Sequence, residues 1–194
     1  RLRIDSDIND DTHLQIQIAS GDDGTPASTN QTFTSFFRPK PFNLDRANIV
    51  YNPNGASALT LGAGKFGFPV TRTQMTWDDD INWEGVYQQV AWSAGDSVDI
   101  TLVAIQTTVN EVSLDSNSQM FAGYGEVGVA VGNHTLQFSV TDYGFTNVDQ
   151  VAVGRAVGPL RSILTNQLKL GGDGGIIGLV SDFNMVDVIA EAEL

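Results

Sequence analysis

Runs of period-two alternation, joined by connections that are short and long by turns, constrain this chain more than any other feature. Asn9-Asp10-Asp11 is a tight connection and 21–45 a long one. Asn52-Pro53-Asn54-Gly55 is tight and 67–84 long; Ala94-Gly95-Asp96 is tight and about 108–119 longer. Gly132-Asn133 is tight again, and the stretch after Tyr143 is long. A soluble sandwich has no reason to sort its connections by parity. A membrane barrel does, with turns on the periplasmic side and loops outside. The expected fold is all-β: an antiparallel transmembrane β-barrel, read as one domain over residues 1–194.

Successive side chains of a strand point to opposite faces, so period two is the strand signal. Leu2, Ile4 and Ile8 share a face with Ser6, opposite Arg1, Arg3, Asp5 and Asp7. Leu14, Ile16 and Ile18 oppose His13, Gln15 and Gln17. The strand over 46–52 sets Ala47, Ile49 and Tyr51 against Arg46, Asn48 and Asn52, and 58–66 sets Leu59, Leu61 and Ala63 against Ala58, Thr60 and Gly62. Val86, Val90 and Trp92 share a face with Gln88. Val98, Ile100, Leu102 and Ala104 oppose Asp99 and Thr101. Phe121, Val127, Val129 and Val131 oppose Glu126, and Leu136, Phe138 and Val140 oppose Gln137, Ser139 and Thr141. The last strand sets Val186, Val188, Ala190, Ala192 and Leu194 against Asp187, Glu191 and Glu193, with Ile189 an exception on the polar face. No segment holds a 3.6-residue apolar period for three turns. Residues 144–178 read either as one long loop or as hiding a strand near Arg161–Leu170, closed by Gly171-Gly172-Asp173-Gly174-Gly175.

Composition agrees with lipid exposure. Charged residues are 17% of the chain, below the roughly 25% of a soluble domain. The polar faces carry Arg, Asp, Gln, Asn and Thr but almost no Lys, the mixture of a water-filled lumen. The net charge of −13 argues against nucleic acid as a partner, which needs a basic footprint. The absence of cysteine excludes disulfides, thiolate metal sites and cysteine nucleophiles. No apolar run reaches the roughly 20 residues of a spanning helix, but barrel strands need only about 9–11. No signal peptide precedes Arg1, and the chain opens inside an alternating strand. It therefore reads as missing a preceding segment.

The polar faces supply the candidate pore-lining residues: Arg1, Arg3, Asp5, Asp7, Gln15, Gln17, Arg46 and Asn48. Charged rings at a constriction tune ion selectivity through the local field; paired with one another, the same residues merely keep the wall wet. Asp78, Asp79 and Asp80 form a candidate loop cation site. The calcium-loop spacing fails, because Trp83 stands where the turn glycine is needed and Gln89 where a bidentate Glu belongs. The alternative is a solvated outer loop flanked by tryptophans. Tyr51, Tyr87 and Trp92 lie near strand ends, where aromatic girdles mark bilayer interfaces. His13 and His134 begin strands beside tight turns and show no metal or triad spacing. Gly62-Ala63-Gly64 and Gly123-Tyr124-Gly125 suit sharp curvature in a wall. Asn30-Gln31-Thr32 and Asn133-His134-Thr135 match the glycosylation acceptor pattern and carry no meaning in a bacterial outer membrane.

Several phrases resemble a known family. They are Ser28-Thr29-Asn30-Gln31-Thr32 with Lys40-Pro41-Phe42-Asn43-Leu44-Asp45-Arg46-Ala47, then Leu59-Thr60-Leu61-Gly62-Ala63-Gly64-Lys65-Phe66, then Trp77-Asp78-Asp79-Asp80-Ile81-Asn82-Trp83-Glu84-Gly85. Asp142-Tyr143-Gly144-Phe145-Thr146-Asn147-Val148 and Ser181-Asp182-Phe183-Asn184-Met185-Val186-Asp187-Val188 follow in order. Together they are similar to the putative porin family of Gram-negative outer membranes. That resemblance implies a β-barrel in the bacterial outer membrane, in contact with lipid, passing small solutes or ions passively. It implies no catalytic residues, no metal and no cofactor, and it allows a homo-oligomer such as a trimer. Chains of the family are longer, and this one ends in Leu194 rather than an aromatic residue. It therefore reads as the N-terminal or central part of a longer barrel.

Three other readings remain open. A secreted soluble β-sandwich would bind carbohydrate on Trp77, Trp83 and Trp92. An outer-membrane barrel with a plugged lumen would act as structure or adhesin without conductance. An enzyme on a β scaffold would need a carboxylate pair, and spacing singles none out.

Overall fold

The computed structural model describes residues 1–21, 28–30, 41–111, 116–157, 167–180 and 182–193. Eight strands come first: β1 Leu2–Asn9, β2 Thr12–Ser20, β3 Phe42–Tyr51, β4 Leu59–Phe66, β5 Trp83–Ser93, β6 Val98–Asn110, β7 Ser118–Val131 and β8 His134–Thr146. A helix, α1 (Val148–Val157), and a hairpin of β9 (Leu168–Leu170) and β10 (Ile176–Leu179) lead to β11 (Asn184–Glu193). Nine strands form one antiparallel sheet in the order β1-β2-β3-β4-β5-β6-β7-β8-β11. The fold is thus all-β with almost no helix, as the alternation implies. Closure into a barrel is not present: β1 and β11 form the two edges and do not pair.

The turns follow local chemistry. Asn9 Oδ1 accepts the Asp11 amide at 2.9 Å, an Asx turn that joins β1 to β2. Gly132 has φ +64°, the first position of a type II′ hairpin turn, where a β-carbon would be strained. The parity of connections is weaker than the sequence suggests. The β3–β4 connection occupies 52–58, as many residues as the β6–β7 loop at 111–117. Of the expected long loops, residues 22–27, 31–40, 112–115 and 158–166 lie outside the described residues. So do most of the expected strand from Arg161 and part of the Asn30-Gln31-Thr32 pattern; of that strand residues 167–170 are described, Leu168–Leu170 as β9.

Two departures from the sequence reading have clear causes. The first is α1, which the three-turn test could not register, since its ten residues complete fewer than three turns. Its Asp149 Oδ1 accepts the Leu179 amide of β10 at 2.8 Å, tying helix to hairpin. The second is the start of β3, at Phe42 rather than 46. The pairing with β2 slips between Gln17 and Ile18: Gln17 faces Arg46 and Ile18 faces Leu44. Asp45 is the extra residue of a β-bulge, which breaks the period on which the sequence reading relied.

The two faces of the sheet differ in kind. One is bare and apolar, with Leu102 49%, Phe138 52%, Val186 61% and Val188 59% exposed. The other carries the polar strand positions, and the β4–β5 connection lies over it. The only packed core among the described residues is on this covered face. It joins Phe66, Val70 and Trp83 of that connection and its ends to Tyr87, Val103, Ile105, Met120, Ala122, Tyr124 and Tyr143 of the strands. Among the described residues no helix is long and apolar enough to cross a membrane.

Candidate solute passage on the covered face

The segment from Phe66 to Trp83 crosses the sheet. At one side Arg46 Nε of β3 donates to Asn82 Oδ1 at 2.7 Å, and Asn82 Nδ2 donates to Asp45 Oδ1 at 2.7 Å. Mid-sheet, Thr71 Oγ1 donates to Glu126 Oε2 of β7 at 2.9 Å, and the Tyr124 hydroxyl donates to the same oxygen at 2.5 Å. At the far side Thr76 Oγ1 donates to Asp187 Oδ2 of β11 at 2.7 Å. β3 and β11 are six places apart in the strand order, so these hydrogen bonds hold the segment across most of the sheet.

Aromatic packing fixes its middle. Phe68 meets Trp83 edge-on at 4.6 Å between ring centroids, and Trp77 meets Trp83 at 5.3 Å and Tyr143 at 5.8 Å. The Arg72 guanidinium lies over the Phe68 ring at 4.2 Å, a cation–π contact that a lysine would make less well. Arg72 also donates to the Trp77 carbonyl at 3.0 Å and pairs with Asp79. That pairing, with a second hydrogen bond from Gln74, holds the Asp79 carboxyl below the usual carboxylate range.

The segment is therefore not the solvated outer loop allowed by the sequence reading. Trp83 is a core residue with the half-buried Trp77 packed against it, and Trp92 is exposed on the opposite face. The three tryptophans do not form one stacking platform. The sequence did hold a signal: Val103, Ile105, Met120, Ala122, Tyr124, Tyr143 and Ile189 interrupt the polar phase of their strands. An apolar patch on a polar face requires something apolar to cover it.

The expected pore-lining residues fall on one face. Register sets Arg3 opposite Gln17, Asp5 opposite Gln15, Gln15 opposite Asn48 and Gln17 opposite Arg46, and directly opposed residues share a face. Arg1 reaches Asp45 Oδ2 at 3.3 Å and pairs with Asp80 of the crossing segment. Gln17 Nε2 donates to Asp45 Oδ2 at 2.5 Å. Arg3 pairs with Asp5 at 2.7 Å, and Asp7 with His13 at 2.5 Å. Asp78, Asp79 and Asp80 do not converge. Asp78 accepts the Asp80 amide, Asp79 faces Arg72, and Asp80 faces Arg1 and accepts the Thr29 amide. Among the described residues no cluster could hold a metal ion.

Of the expected interfacial aromatics, Tyr51 and Trp92 are exposed on the bare face at the turn ends of β3 and β5. Tyr87 is not with them. Its odd-numbered place in β5 turns it to the covered face, edge-on to Phe66 at 4.9 Å. A β-carbon on Gly62 would sit 2.0 Å from the Tyr87 ring, so glycine at 62 makes room for a neighbouring side chain.

Between β2–β4 and the start of the crossing segment lies a cavity of about 600 Å³. Gln15, Arg46, Asn48, Phe66, Arg72 and Asp79 are among the residues that line it. The charge around it is uneven along the sequence: no Lys or Arg occurs between Arg72 and Arg155.

The sequence model of a family described as putative porin matches residues 1–157. The chain belongs to the putative porin family. Membership supports a porin-like channel in general, and the nine-stranded antiparallel sheet is consistent with that architecture. The resembling phrase Ser181–Val188 lies beyond the matched residues. No match was found among curated proteins or among solved structures.

Proposed function

We propose that the protein is part of an outer-membrane channel through which small solutes or ions diffuse passively, with lipid against the bare face and water along the covered one. The observation that carries this reading is the inversion of the faces. The exposed face is the apolar one, and the polar, charged face is turned inward under its own crossing segment. A soluble sheet does the reverse, because exposed apolar area costs free energy in water.

Dimensions support the same reading. The outward apolar run of β7, from Phe121 to Val131, would be about 33 Å long at ~3.3 Å per residue. At a tilt of about 40° this spans a band of about 25 Å, the height of the apolar belt of outer-membrane barrels. Beyond the belt, on the side of the longer connections, the same face turns polar. Lys65 Nζ donates there to Glu84 Oε1 at 2.5 Å, and Gln106 and Thr108 extend β6 outward.

In this reading the aperture is off-centre. The aromatic core fills the middle of the covered face, which leaves the passage to the arginine-bearing side near β1–β4. The Arg, Asp and Gln residues there become the lining, and closure would come from strands beyond β1 and β11. Reconstitution into a planar lipid bilayer tests this. The expected result is stepwise current with a salt-dependent reversal potential. A protein that stays monodisperse without detergent and never conducts would overturn the reading.

A further inference from the structure

We propose that the cavity between β2–β4 and the crossing segment is a binding subsite for small hydroxylated monocarboxylates, with the carboxylate seated on Arg46. This rests on the channel reading and names the solute class for it.

Arg46 is held ready for a ligand. The bulge at Asp45 turns two successive charged side chains to the covered face. Of the pair, Asp45 is fully engaged by Arg1, Gln17 and Asn82. Arg46 is engaged only at Nε, by Asn82. Its guanidinium lies against Gly67, where a β-carbon would stand 2.7 Å from Cζ. That packing and the Nε bond fix the plane of the group, so little side-chain freedom is lost on binding. Arg1, Arg3 and Arg72 each have a carboxylate partner. Arg46 has none within 4 Å, and its Nη1 and Nη2 donate no hydrogen bond among the described residues. Two adjacent free N–H donors match the two oxygens of a carboxylate.

The surroundings narrow the class. Arg72 and Asp79 line the same cavity and offset each other. Arg1 is shared between Asp45 and Asp80, so Arg1, Arg46, Asp45 and Asp80 together carry no net charge, a setting that suits a monoanion on the Arg46 fork better than a dianion. Asn48 and Gln15 line the wall beside it. Their amide groups can exchange hydrogen bonds with the hydroxyls of a solute whose carboxylate lies on Arg46. A volume of about 600 Å³ falls within the range of small-molecule sites. The net charge of −13 alone would suggest a preference for cations; this subsite is a local exception to it.

The test is isothermal titration of the detergent-solubilised protein with D-gluconate, D-glucose and inorganic phosphate, repeated with R46Q and R46K. The expected result is saturable gluconate binding, no glucose binding and weaker phosphate binding. R46Q should weaken gluconate by about tenfold or more, since charged hydrogen bonds are lost, and R46K should retain part of it. Equal binding of gluconate and glucose by the unaltered protein overturns the proposal and needs no variant. So does phosphate binding as tight as gluconate, or gluconate affinity unchanged in R46Q. Parallel bilayer recordings separate the two ideas. Gluconate binding without conductance removes the channel and keeps the subsite; conductance without gluconate binding does the opposite.

Discussion

The β1–β4 side of the covered face and the β5–β8 and β11 side are built on different principles. On the first, Arg1, Arg3 and Arg46 interleave with Asp5, Asp7 and Asp45, and strand side chains meet across ion pairs and amides. Phe66, at the very end of β4, is the one member of the packed aromatic cluster that these four strands supply among the described residues. On the second, the charged strand residues described are all acidic, among them Asp99, Glu126, Asp187 and Glu191, and between them sits an aromatic and aliphatic cluster. The difference teaches where each property of the molecule resides. Packing on the acidic side supplies rigidity, because buried apolar area is the large stabilising term. Exposed ion pairs on the arginine side stabilise little, so under the proposed channel reading those residues are free to be chosen for what passes them. The crossing segment joins the two, with its aromatic residues in the core and Asn82 and Asp80 on the arginines.

Deleting the core should break this division most severely. Tyr143 is fully buried, and Tyr143→Ala should cost about 3–5 kcal/mol, read from urea unfolding in micelles. Arg3→Ala, which removes an exposed pair, should leave the midpoint nearly unchanged. Equal effects would mean that the arginine side is load-sharing structure and not lining. Next in size is selectivity. Glu126→Gln should shift the reversal potential toward anions and Arg46→Gln toward cations, each by about twofold or more in permeability ratio, as fields of several kT at a lined surface allow. Shifts of the same sign would show that the two sides do not flank one aqueous path.

The smallest expected effect concerns pH. The Asp79 carboxyl is held low by Arg72 and Gln74, so its contribution is complete above the unfolded carboxylate range. It is lost as pH falls through the lowered folded value, below about 4. Tryptophan emission, sensitive to Trp77 beside Arg72, should change only in that acidic window, and D79N should flatten the change. A transition near neutrality would assign the tether to another group.

Much of the strand layout was legible because an apolar face opposite a polar one enforces period two. The faces of β1, β2, β5, β6, β8 and β11 follow from it residue by residue, including Ile189, whose oddity in the sequence marks its burial at 8% exposure. The site was half legible. Arg46, Asn48, Gln15 and Gln17 share a face because strand phase says so. The segment that covers them could not be read from a period, since Phe68, Val70, Trp77 and Ile81 pack irregularly and a loop imposes no repeat. Phase alone would have moved Tyr87 away from Tyr51 and Trp92, as it stands one residue from Val86 and Gln88. The start of β3 was hidden for a different reason, in the bulge at Asp45.

That bulge acts as a change of reading frame within a single strand. Before it the even-numbered residues Phe42 and Leu44 look outward; after it the odd-numbered Ala47, Ile49 and Tyr51 do. One extra peptide unit thus lets the two ends of β3 present the same apolar face with opposite numbering. Removing Asp45 or Arg46 would restore an uninterrupted ladder with β2 and keep the outward stripe intact. It would also leave room for only one inward charge where the chain now sets an acid and a base side by side. The strand would gain regularity and lose the dipole.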